Sequence, residues 1–311
     1  MLLFSGSSHP KLAQEIADDL GIKLAPMELE HFPDGEIAIR ITESVRGHDV
    51  FVVQTIALDP NNHLMELLII IDALKRASAR SVTAVIPYFG YCRQDRKDKP
   101  REPITAKLVA NMLASAGVDH VLTMDLHAGQ LEGFFDIPVD HIHAVSELAR
   151  MFKELSSNKI VVVAPDIGSV KLAHKYVSYF GADFAVVDKR RLSATEVEVV
   201  TVIGDVEGKD VLLADDMCST AGTLVSAAKA CHGKGAKRVF AAVTHGILVG
   251  ESVSKIEKSP IEALLISNTI PYTERLAGST KIRTCSVANL FGHAIRCIVS
   301  QESIASYFQP K

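Results

Sequence analysis

The chain of 311 residues has no tryptophan, and aromatic residues make up only 6% of it. It also lacks an excess of positive charge, because 33 Lys and Arg residues stand against 37 Asp and Glu residues, for a formal net charge of −4. Proteins that bind nucleic acid usually carry a basic patch or stripe. The charge balance therefore argues against a nucleic-acid partner.

Long hydrophobic segments are missing as well. The apolar run at residues 67–71 is far shorter than the roughly 20 apolar residues that a membrane-spanning helix needs. Residues 1–6 contain a short apolar run but no basic residue, so we expect no secretory signal peptide. These absences predict a cytoplasmic protein with no membrane partner.

Two common motifs are absent from the chain. The five cysteines form no C-x-x-C pair and are odd in number, which fits a reducing compartment better than a disulfide framework. The phosphate-binding loop G-x-x-x-x-G-K-[ST] does not occur, which disfavours a P-loop kinase.

What the chain does contain is a regular alternation of β-rich apolar runs with helical patterns. Such alternation predicts βα units with mostly parallel sheets, and hence the α/β fold class. The predicted strands are 50–54, 82–86, 120–124, 160–164, 183–187, 211–214, 238–243 and 263–266. The predicted helices are 11–20, 64–77, 106–116, 146–155, 170–179, 223–231 and 287–299.

The length of the chain suggests about two domains. No low-complexity linker or block of charge divides it, and the best boundary lies near residues 142–146. We therefore predict an N-terminal domain at 1–144 and a C-terminal domain at 145–311. The C-terminal helix is a candidate to pack back on the first domain.

The most informative segment runs from residue 211 to residue 223. A short apolar run is followed by Asp215 and Asp216 and then by small, hydroxyl-rich residues that lead into a helical pattern. Ligands bind beyond the carboxyl ends of strands in open α/β sheets, and a helix N-terminus attracts phosphate. Carboxylates can hold ribose hydroxyls or Mg2+. The segment can thus bind a ribose 5-phosphate, whereas the plainer interpretation is a strand, a capped turn and a helix.

This segment resembles the phosphoribosyl pyrophosphate (PRPP) binding motif, and five further segments extend the resemblance to the ribose-phosphate pyrophosphokinase family. The resemblance runs from about Ser5 to Phe308. It implies two similar phosphoribosyltransferase-like domains, each with a mostly parallel sheet flanked by helices. The further segments are Phe32-Pro33-Asp34-Gly35-Glu36, Arg93-Gln94-Asp95 to Arg101, Met124-Asp125-Leu126-His127, Pro165-Asp166, and Lys189 with Arg191.

The resemblance also implies a role for each matching residue. Lys189 and Arg191 match the catalytic cations, while His127 and Asp166 match ligands of Mg2+. The residues implied to bind ATP are Phe32, Asp34, Glu36, Arg93, Gln94, Asp98 and His127. The residues implied to bind ribose 5-phosphate are Asp215, Asp216, Ser219, Thr220, Ala221, Gly222 and Thr223.

Departures from the common family pattern occur in two of the proposed ligand loops, and also at Asp188 and Arg190, to which no role is assigned. Ser219 stands where the family commonly has aspartate, although serine suits an anion-binding loop. The family usually reads Pro-Asp-x-Gly-Gly where this chain has Pro165-Asp166-Ile167-Gly168-Ser169. The acid is retained there, but the geometry of the loop can differ.

The resemblance implies transfer of the pyrophosphoryl group of Mg-ATP to C1 of ribose 5-phosphate, giving PRPP and AMP. It also implies a homo-oligomer, such as a hexamer built from dimers, in which the Phe32 loop reaches a neighbouring subunit's site. Three alternatives stay open: a phosphoribosyltransferase that consumes PRPP, a non-catalytic regulatory homologue of the synthetase, and a PRPP-sensing transcription regulator. The first would leave the ATP-side motifs idle, the second would not need the catalytic residues, and the third lacks a basic DNA-binding segment.

Other candidate ligands are predicted to be structural. His141 and His143 can share one face of a strand, but the sequence offers no further ligand beside them, so we predict a structural pair. Cys92 and Cys218 lie within the proposed ligand loops, where we expect them to act as small packing residues.

Overall fold

The computed structural model describes residues 1–190, 199–272 and 276–304. Its strands are β1 (Leu2–Ser5), β2 (Met27–His31), β3 (Ile37–Ile41), β4 (Asp49–Val53), β5 (Ser81–Ile86), β6 (His120–Met124), β7 (Val139–Ile142), β8 (Ile160–Ala164), β9 (Asp183–Arg190), β10 (Val199–Ile203), β11 (Asp210–Cys218), β12 (Arg238–Gly246), β13 (Ile261–Ser267) and β14 (Ile282–Cys285). Its α-helices are α1 (Pro10–Leu20), α2 (Pro60–Arg76), α3 (Thr105–Ala116), α4 (Val145–Lys153), α5 (Val170–Phe180), α6 (Gly222–Gly233), α7 (Ser252–Glu257) and α8 (Ala288–Ser300), and a 3-10 helix spans Gly129–Phe134.

The chain forms two compact units, and it passes from the first to the second between His143 and Ala144. Residues 269–271 and the segment that contains α8 also belong to the first unit. Within that unit α8 packs on α1, where Arg296 Nη1 lies 2.9 Å from Asp19 Oδ2. No helix in the described part of the chain is long and apolar enough to cross a membrane.

The first unit is built on a five-stranded parallel sheet in the order β1-β4-β5-β6-β7. Its central strands are apolar along almost their whole length, as expected for a parallel sheet covered on both faces. The small antiparallel hairpin β2–β3 belongs to this unit but forms a separate sheet. The three strands predicted here from apolar runs are confirmed to within one residue at each end.

The second unit contains a seven-stranded sheet in the order β10-β9-β8-β11-β12-β13-β14. All neighbours are parallel except β10, which runs antiparallel to β9. The apolar core lies around β8, β11 and β12 and includes Val163, Leu213 and Val243, all fully buried. The predicted α/β class with mostly parallel sheets is therefore confirmed.

Two predicted strand ends are wrong in a way that matters for the site. Asp215 and Asp216 were expected just after a strand, yet β11 continues through them because it pairs with β12 as far as Cys218 opposite Gly246. Lys189 was also expected after a strand, but it lies within β9, opposite Val200 of β10. In both cases pairing with a neighbouring strand extends the strand beyond its apolar run.

A buried ionic network closes the amino-terminal edge of the second sheet. Asp210 is fully buried and accepts hydrogen bonds from Ser156 Oγ at 2.5 Å, Asn158 Nδ2 at 3.0 Å and Arg238 Nε at 3.1 Å. Burial opposes ionisation of Asp210, but the hydrogen bonds from Arg238, Ser156 and Asn158 outweigh it and hold the pKa of Asp210 below its usual value. The folded protein therefore favours the charged carboxylate.

We expect Asp210→Asn to lower the free energy of unfolding by about 3 kcal/mol near neutral pH, because it leaves half-buried Arg238 without its buried anion and with only the more distant Glu262, at 3.9 Å. The depressed pKa means that the stabilisation is present above the ordinary Asp pKa and is lost as the pH falls towards the lowered value. Urea unfolding as a function of pH measures both effects. Asp72→Asn is the matched control, since its ion pair with Arg76 is exposed and should matter little.

Candidate active site

In the second unit, the acids predicted at two different motifs lie at the same edge of the sheet. Strands β8 and β11 are adjacent and parallel, with Val163 opposite Leu213, so Asp166 and Asp216 follow at the same level. The hydroxyl of Ser169 lies 3.0 Å from Asp166 Oδ1 and 2.7 Å from Asp215 Oδ1. The fold thus brings the predicted metal ligand beside a predicted ribose ligand.

The electrostatics of this acidic group favour a bound cation. Burial raises the pKa of Asp215 well above its usual value, and the charges of Asp216 and Asp166 act in the same direction. A divalent cation would offset this repulsion, and Mg2+ prefers carboxylate and hydroxyl oxygens as ligands. The donor set at this edge therefore fits a hard divalent cation.

The predicted phosphate loop connects β11 to α6. Ala221 precedes the helix with a left-handed φ of 62°, which turns the chain sharply at that point. The carbonyl oxygens of Cys218 and Ser219 accept hydrogen bonds from Leu248 and Val249, which fixes the loop to the segment after β12. Thr220, Gly222 and Thr223 are exposed at the start of α6, as an anion site at a helix N-terminus requires.

Lys189 lies on β9, which is parallel to β8 and pairs Val186 with Ala164 at the end of β8. Lys189 follows Val186 by three residues, so its backbone lies beyond the carboxyl end of β8, where Asp166 also lies. Its position in the sheet is therefore at the edge that carries the acids. Arg191 lies outside the described residues.

In the first unit, the Phe32 loop is the tight turn of the β2–β3 hairpin. The amide of Phe32 donates to Glu36 O and that of Gly35 donates to Phe32 O, both at 2.8 Å, and Gly35 takes a left-handed φ of 94°. Asp34 Oδ1 accepts from the Glu36 amide at 3.2 Å. The Phe32 side chain is 55% exposed, so its ring is available to stack on a planar ligand.

The loop that begins at Arg93 is held to neighbouring elements at its start. Gln94 Oε1 accepts from Thr105 Oγ1 at 2.5 Å, at the beginning of α3, while Arg93 is exposed. Further along, Asp98 forms an exposed ion pair with Arg96 at 2.9 Å. Much of the charge of this loop is therefore directed towards solvent.

The loop also touches the segment that follows His127. Asp95 Oδ2 accepts from Gln130 Nε2 at 2.9 Å, and Gln130 lies in the 3-10 helix two residues beyond Ala128. His127 itself is exposed. The two segments predicted to contact ATP phosphates are therefore linked within the first unit.

Two histidines on β7 and just after it fix the turn that presents His127. Asp125 is buried and has a left-handed φ of 35°, and its Oδ1 lies 2.7 Å from His143 Nδ1. The next amide, that of Leu126, donates to His141 Nε2 at 2.9 Å, and His141 Nδ1 lies 2.7 Å from Glu132 Oε1. Burial, reinforced by His143, lowers the pKa of His141, consistent with a neutral ring that accepts at one nitrogen and donates at the other.

The prediction that the histidine pair has no further ligand beside it is wrong. Because β6 and β7 are neighbours, a carboxylate oxygen of Asp125 lies within 4.8 Å of a ring nitrogen of each histidine. The three groups already engage one another or the backbone in hydrogen bonds. We therefore interpret Asp125, His141 and His143 as residues that fix the conformation of the turn before His127. The cysteines predicted to be packing residues, Cys92 and Cys218, are both buried, and burial raises the pKa of Cys218 to about 12.

Comparison with known proteins identifies the family. The N-terminal domain of ribose phosphate pyrophosphokinase matches residues 1–117, and the phosphoribosyl synthetase-associated domain matches residues 187–309. The ribose-phosphate pyrophosphokinase of Caldanaerobacter subterraneus subsp. tengcongensis is 51% identical over 98% of this chain and 97% of its own length. That of Wolinella succinogenes is 50% identical over 98% of each chain. The chain belongs to the ribose-phosphate pyrophosphokinase family.

The fold agrees with this membership. The crystal structure of phosphoribosylpyrophosphate synthetase from Mycobacterium smegmatis is 39% identical and matches 96% of this chain and 99% of its own with a TM-score of 0.91. The resemblance inferred from the order of six motifs is therefore confirmed along nearly the whole chain. Membership of this family disfavours a phosphoribosyltransferase and a transcription regulator.

Motif reasoning missed the residues that hold the site residues in place. His141 and His143 match no catalytic motif, and Ser169 lies in the Pro165–Ser169 segment without an implied role; their contacts with Leu126, Asp125 and Asp215 span 15, 18 and 46 positions of sequence. The signal available for the histidines was their spacing of two residues, which puts both on one face of an extended segment at the end of β7. The aspartate that completes the group is visible only once β6 and β7 are known to be neighbours.

We expect His141→Ala to lower kcat/KM for ATP by about 10- to 100-fold, because a small displacement of the turn before His127 misplaces a ligand-binding side chain. Steady-state kinetics with varied ATP measure this. His48→Ala is the matched control, since His48 is exposed beside the start of β4, at the opposite end of the parallel strands. Equal kinetics in both variants would show that the turn keeps its geometry without His141.

Proposed function

We propose that this protein transfers the β,γ-pyrophosphoryl group of Mg-ATP to the C1 hydroxyl of ribose 5-phosphate, giving PRPP and AMP. The observation that carries the proposal is that Ser169 Oγ lies within hydrogen-bonding distance of both Asp166 and Asp215. Asp215 lies on β11, the strand that leads into the phosphate loop. It occurs in a chain that is about half identical, over its whole length, to relatives with this name.

The second unit supplies the sugar site. Asp215 and Asp216 accept hydrogen bonds from the ribose hydroxyls. The loop formed by Ser219, Thr220, Ala221, Gly222 and Thr223 binds the 5-phosphate through its hydroxyls and amides at the start of α6. Support comes from the exposure of this loop and from its attachment to the end of β11. A serine at 219 avoids placing a carboxylate beside the phosphate.

The first unit supplies the nucleotide site. Phe32 stacks on the adenine ring, and Asp34 and Glu36 contact its amino edge. Arg93, Gln94 and His127 bind the phosphates, and Asp98 lies nearby in the same loop. The exposed ring of Phe32 and the Asp95–Gln130 hydrogen bond, which links the two phosphate segments, support this assignment.

Magnesium is the metal that fits the donor groups. Asp166 would hold a Mg2+ ion in the second unit and His127 would hold one in the first, and the oxygen donors beside Asp166 suit a hard cation. When bound, the ion neutralises phosphate charge.

The reaction itself is a displacement at the β-phosphorus. The C1 hydroxyl oxygen of the sugar forms a bond to that phosphorus and loses its proton to solvent, the bond from the β-phosphorus to the bridging α–β oxygen breaks, and AMP leaves with that oxygen. Lys189 and Arg191 stabilise the negative charge that develops on the transferred group. Positioning and charge neutralisation carry most of the rate, as is general for phosphoryl transfer.

We further propose that the protein works as a homo-oligomer built from dimers, such as a hexamer, with Phe32 supplied to a neighbouring subunit. The exposure of the β2–β3 hairpin supports this proposal. Residues 1–144 and 145–311 act as the two domains, with the C-terminal helix packed on the first. Cytoplasmic location stays a prediction.

The test is to incubate the full chain with Mg-ATP, with and without ribose 5-phosphate, and to measure AMP and PRPP. We expect both products in equal amounts, and only when the sugar phosphate is present. A phosphoribosyltransferase would instead consume added PRPP together with a nucleobase. Absence of AMP formation in a correctly folded protein that still binds ATP would favour the non-catalytic regulatory homologue.

A further inference from the structure

Ser169 contacts both Asp166 and Asp215 of the proposed site, and it stands at a position where this chain departs from the usual family sequence. It is buried, directly precedes α5, and replaces the second glycine of the Pro-Asp-x-Gly-Gly pattern. Its amide donates to Asp166 Oδ1 at 3.1 Å. Its hydroxyl oxygen lies 3.0 Å from that same Asp166 oxygen and 2.7 Å from Asp215 Oδ1.

A serine hydroxyl carries a single proton, whereas an ionised carboxylate can only accept hydrogen bonds. The hydroxyl of Ser169 therefore cannot donate fully to Asp166 and Asp215 at the same time. When a cation neutralises Asp166, that carboxylate no longer competes for the proton. The proton is then available to Asp215, at the shorter of the two distances.

We propose that Ser169 is a positioning residue that couples cation binding at Asp166 to ribose 5-phosphate binding at Asp215. The hydroxyl holds the Asp215 carboxylate in place for the sugar once Asp166 is occupied, and glycine or alanine cannot do so. The coupling must be reciprocal, because any effect of the cation on sugar affinity equals the effect of the sugar on cation affinity. The proposal rests on the proposed function, which assigns the cation and the sugar to these two acids.

The neighbouring helix does not need the hydroxyl for its own stability. The side chain of Ser169 makes no capping hydrogen bond to α5. The helix end is instead joined to Asp166 through the Ser169 amide, a contact that glycine and alanine keep. Removal of the hydroxyl should therefore change the link between the acids more than the fold.

The experiment measures binding without turnover. Isothermal titration of ribose 5-phosphate is carried out with and without Mg2+, always with α,β-methylene-ATP, whose α–β bridge cannot be cleaved. We expect Mg2+ to tighten sugar binding in the wild-type protein and in Ser169→Thr, which keeps the hydroxyl. In Ser169→Gly and Ser169→Ala the effect of Mg2+ should fall by about tenfold, the scale of a hydrogen bond to a charged group.

Binding of Mn2+, followed by its electron paramagnetic resonance signal, supplies the reciprocal measurement. Ribose 5-phosphate should tighten Mn2+ binding in the wild-type protein by the same factor by which Mn2+ tightens sugar binding in the calorimetric titration, and much less in Ser169→Gly. Ser178→Ala is the matched control, because Ser178 is exposed on the same helix and its hydroxyl donates only locally to His174 O. This variant should behave like the wild-type protein.

Two outcomes would overturn the proposal, and only the second of them would also contradict the proposed site. If Ser169→Gly and Ser169→Ala keep the wild-type coupling while Asp166→Asn loses it, the link does not pass through Ser169 and the proposed function stands. If Asp166→Asn also retains full coupling and AMP formation, the cation does not bind there and the proposed site fails with the link. Circular dichroism and thermal unfolding of each variant confirm that it is folded.

Discussion

Replacement of Lys189 by alanine is expected to lower kcat by about a thousandfold, with a much smaller change in the binding of either substrate. A cation that stabilises charge developing in the transition state raises kcat. Removal of one such group therefore lowers kcat by roughly this factor. The backbone of Lys189 lies at the sheet edge that carries Asp166, on β9, which is hydrogen-bonded to both β8 and β10. The expected result thus links a position in the sheet to one step of the reaction.

The measurement is steady-state AMP formation at varied ATP and ribose 5-phosphate, with direct titration of both ligands. Lys189→Arg keeps the charge and should retain more activity than the alanine variant. Lys171→Ala, which removes an exposed lysine from α5, is the control for a general loss of positive charge. A change confined to KM would identify Lys189 as a binding residue with no special role in the transition state.

Mixed assemblies of two inactive variants are expected to recover activity. If Phe32 serves the site of a neighbouring subunit, a Phe32→Ala chain next to a Lys189→Ala chain can form a site with an intact ring and an intact lysine. Random mixing in equal amounts should make about one quarter of the sites intact. Each variant alone should be nearly inactive, so the relative gain on mixing is large.

The experiment mixes differently tagged chains, allows subunits to exchange, and isolates the mixed assemblies before AMP formation is measured. Native mass spectrometry confirms that both chains are present. Met65→Ala chains mixed with Lys189→Ala chains are the control, since Met65 is an exposed apolar residue of α2 outside the proposed sites. Mixed assemblies without any recovery would mean that the Phe32 ring acts within its own chain.

The sequence alone determined a large part of this protein. The strands β6 and β8 are predicted to the residue; β8 is a short continuous apolar run of the kind that forms a buried parallel strand, and β6 is mostly apolar and ends where Asp125 begins the next turn. The order of the six motifs predicts the family, since each motif constrains a different loop and chance does not produce them all in sequence. By contrast, β1, β7, β10, β14 and the hairpin β2–β3 are not among the predicted strands; β1, β7 and β14 have only four residues each, and the hairpin strands are partly exposed.

Only the tertiary structure decided which polar groups touch. The hydroxyl of Ser169 reaches Asp215 across 46 positions of sequence, and His143 reaches Asp125 across 18. Such contacts depend on which strands are neighbours and on their register, and a local pattern of residues contains neither. For the same reason β11 extends through Asp215 and Asp216, because pairing with β12 supplies the hydrogen bonds that an apolar run does not predict. The motifs thus identify the site residues, while the hydrogen bonds that position these residues and link them to one another depend on which distant strands pack side by side.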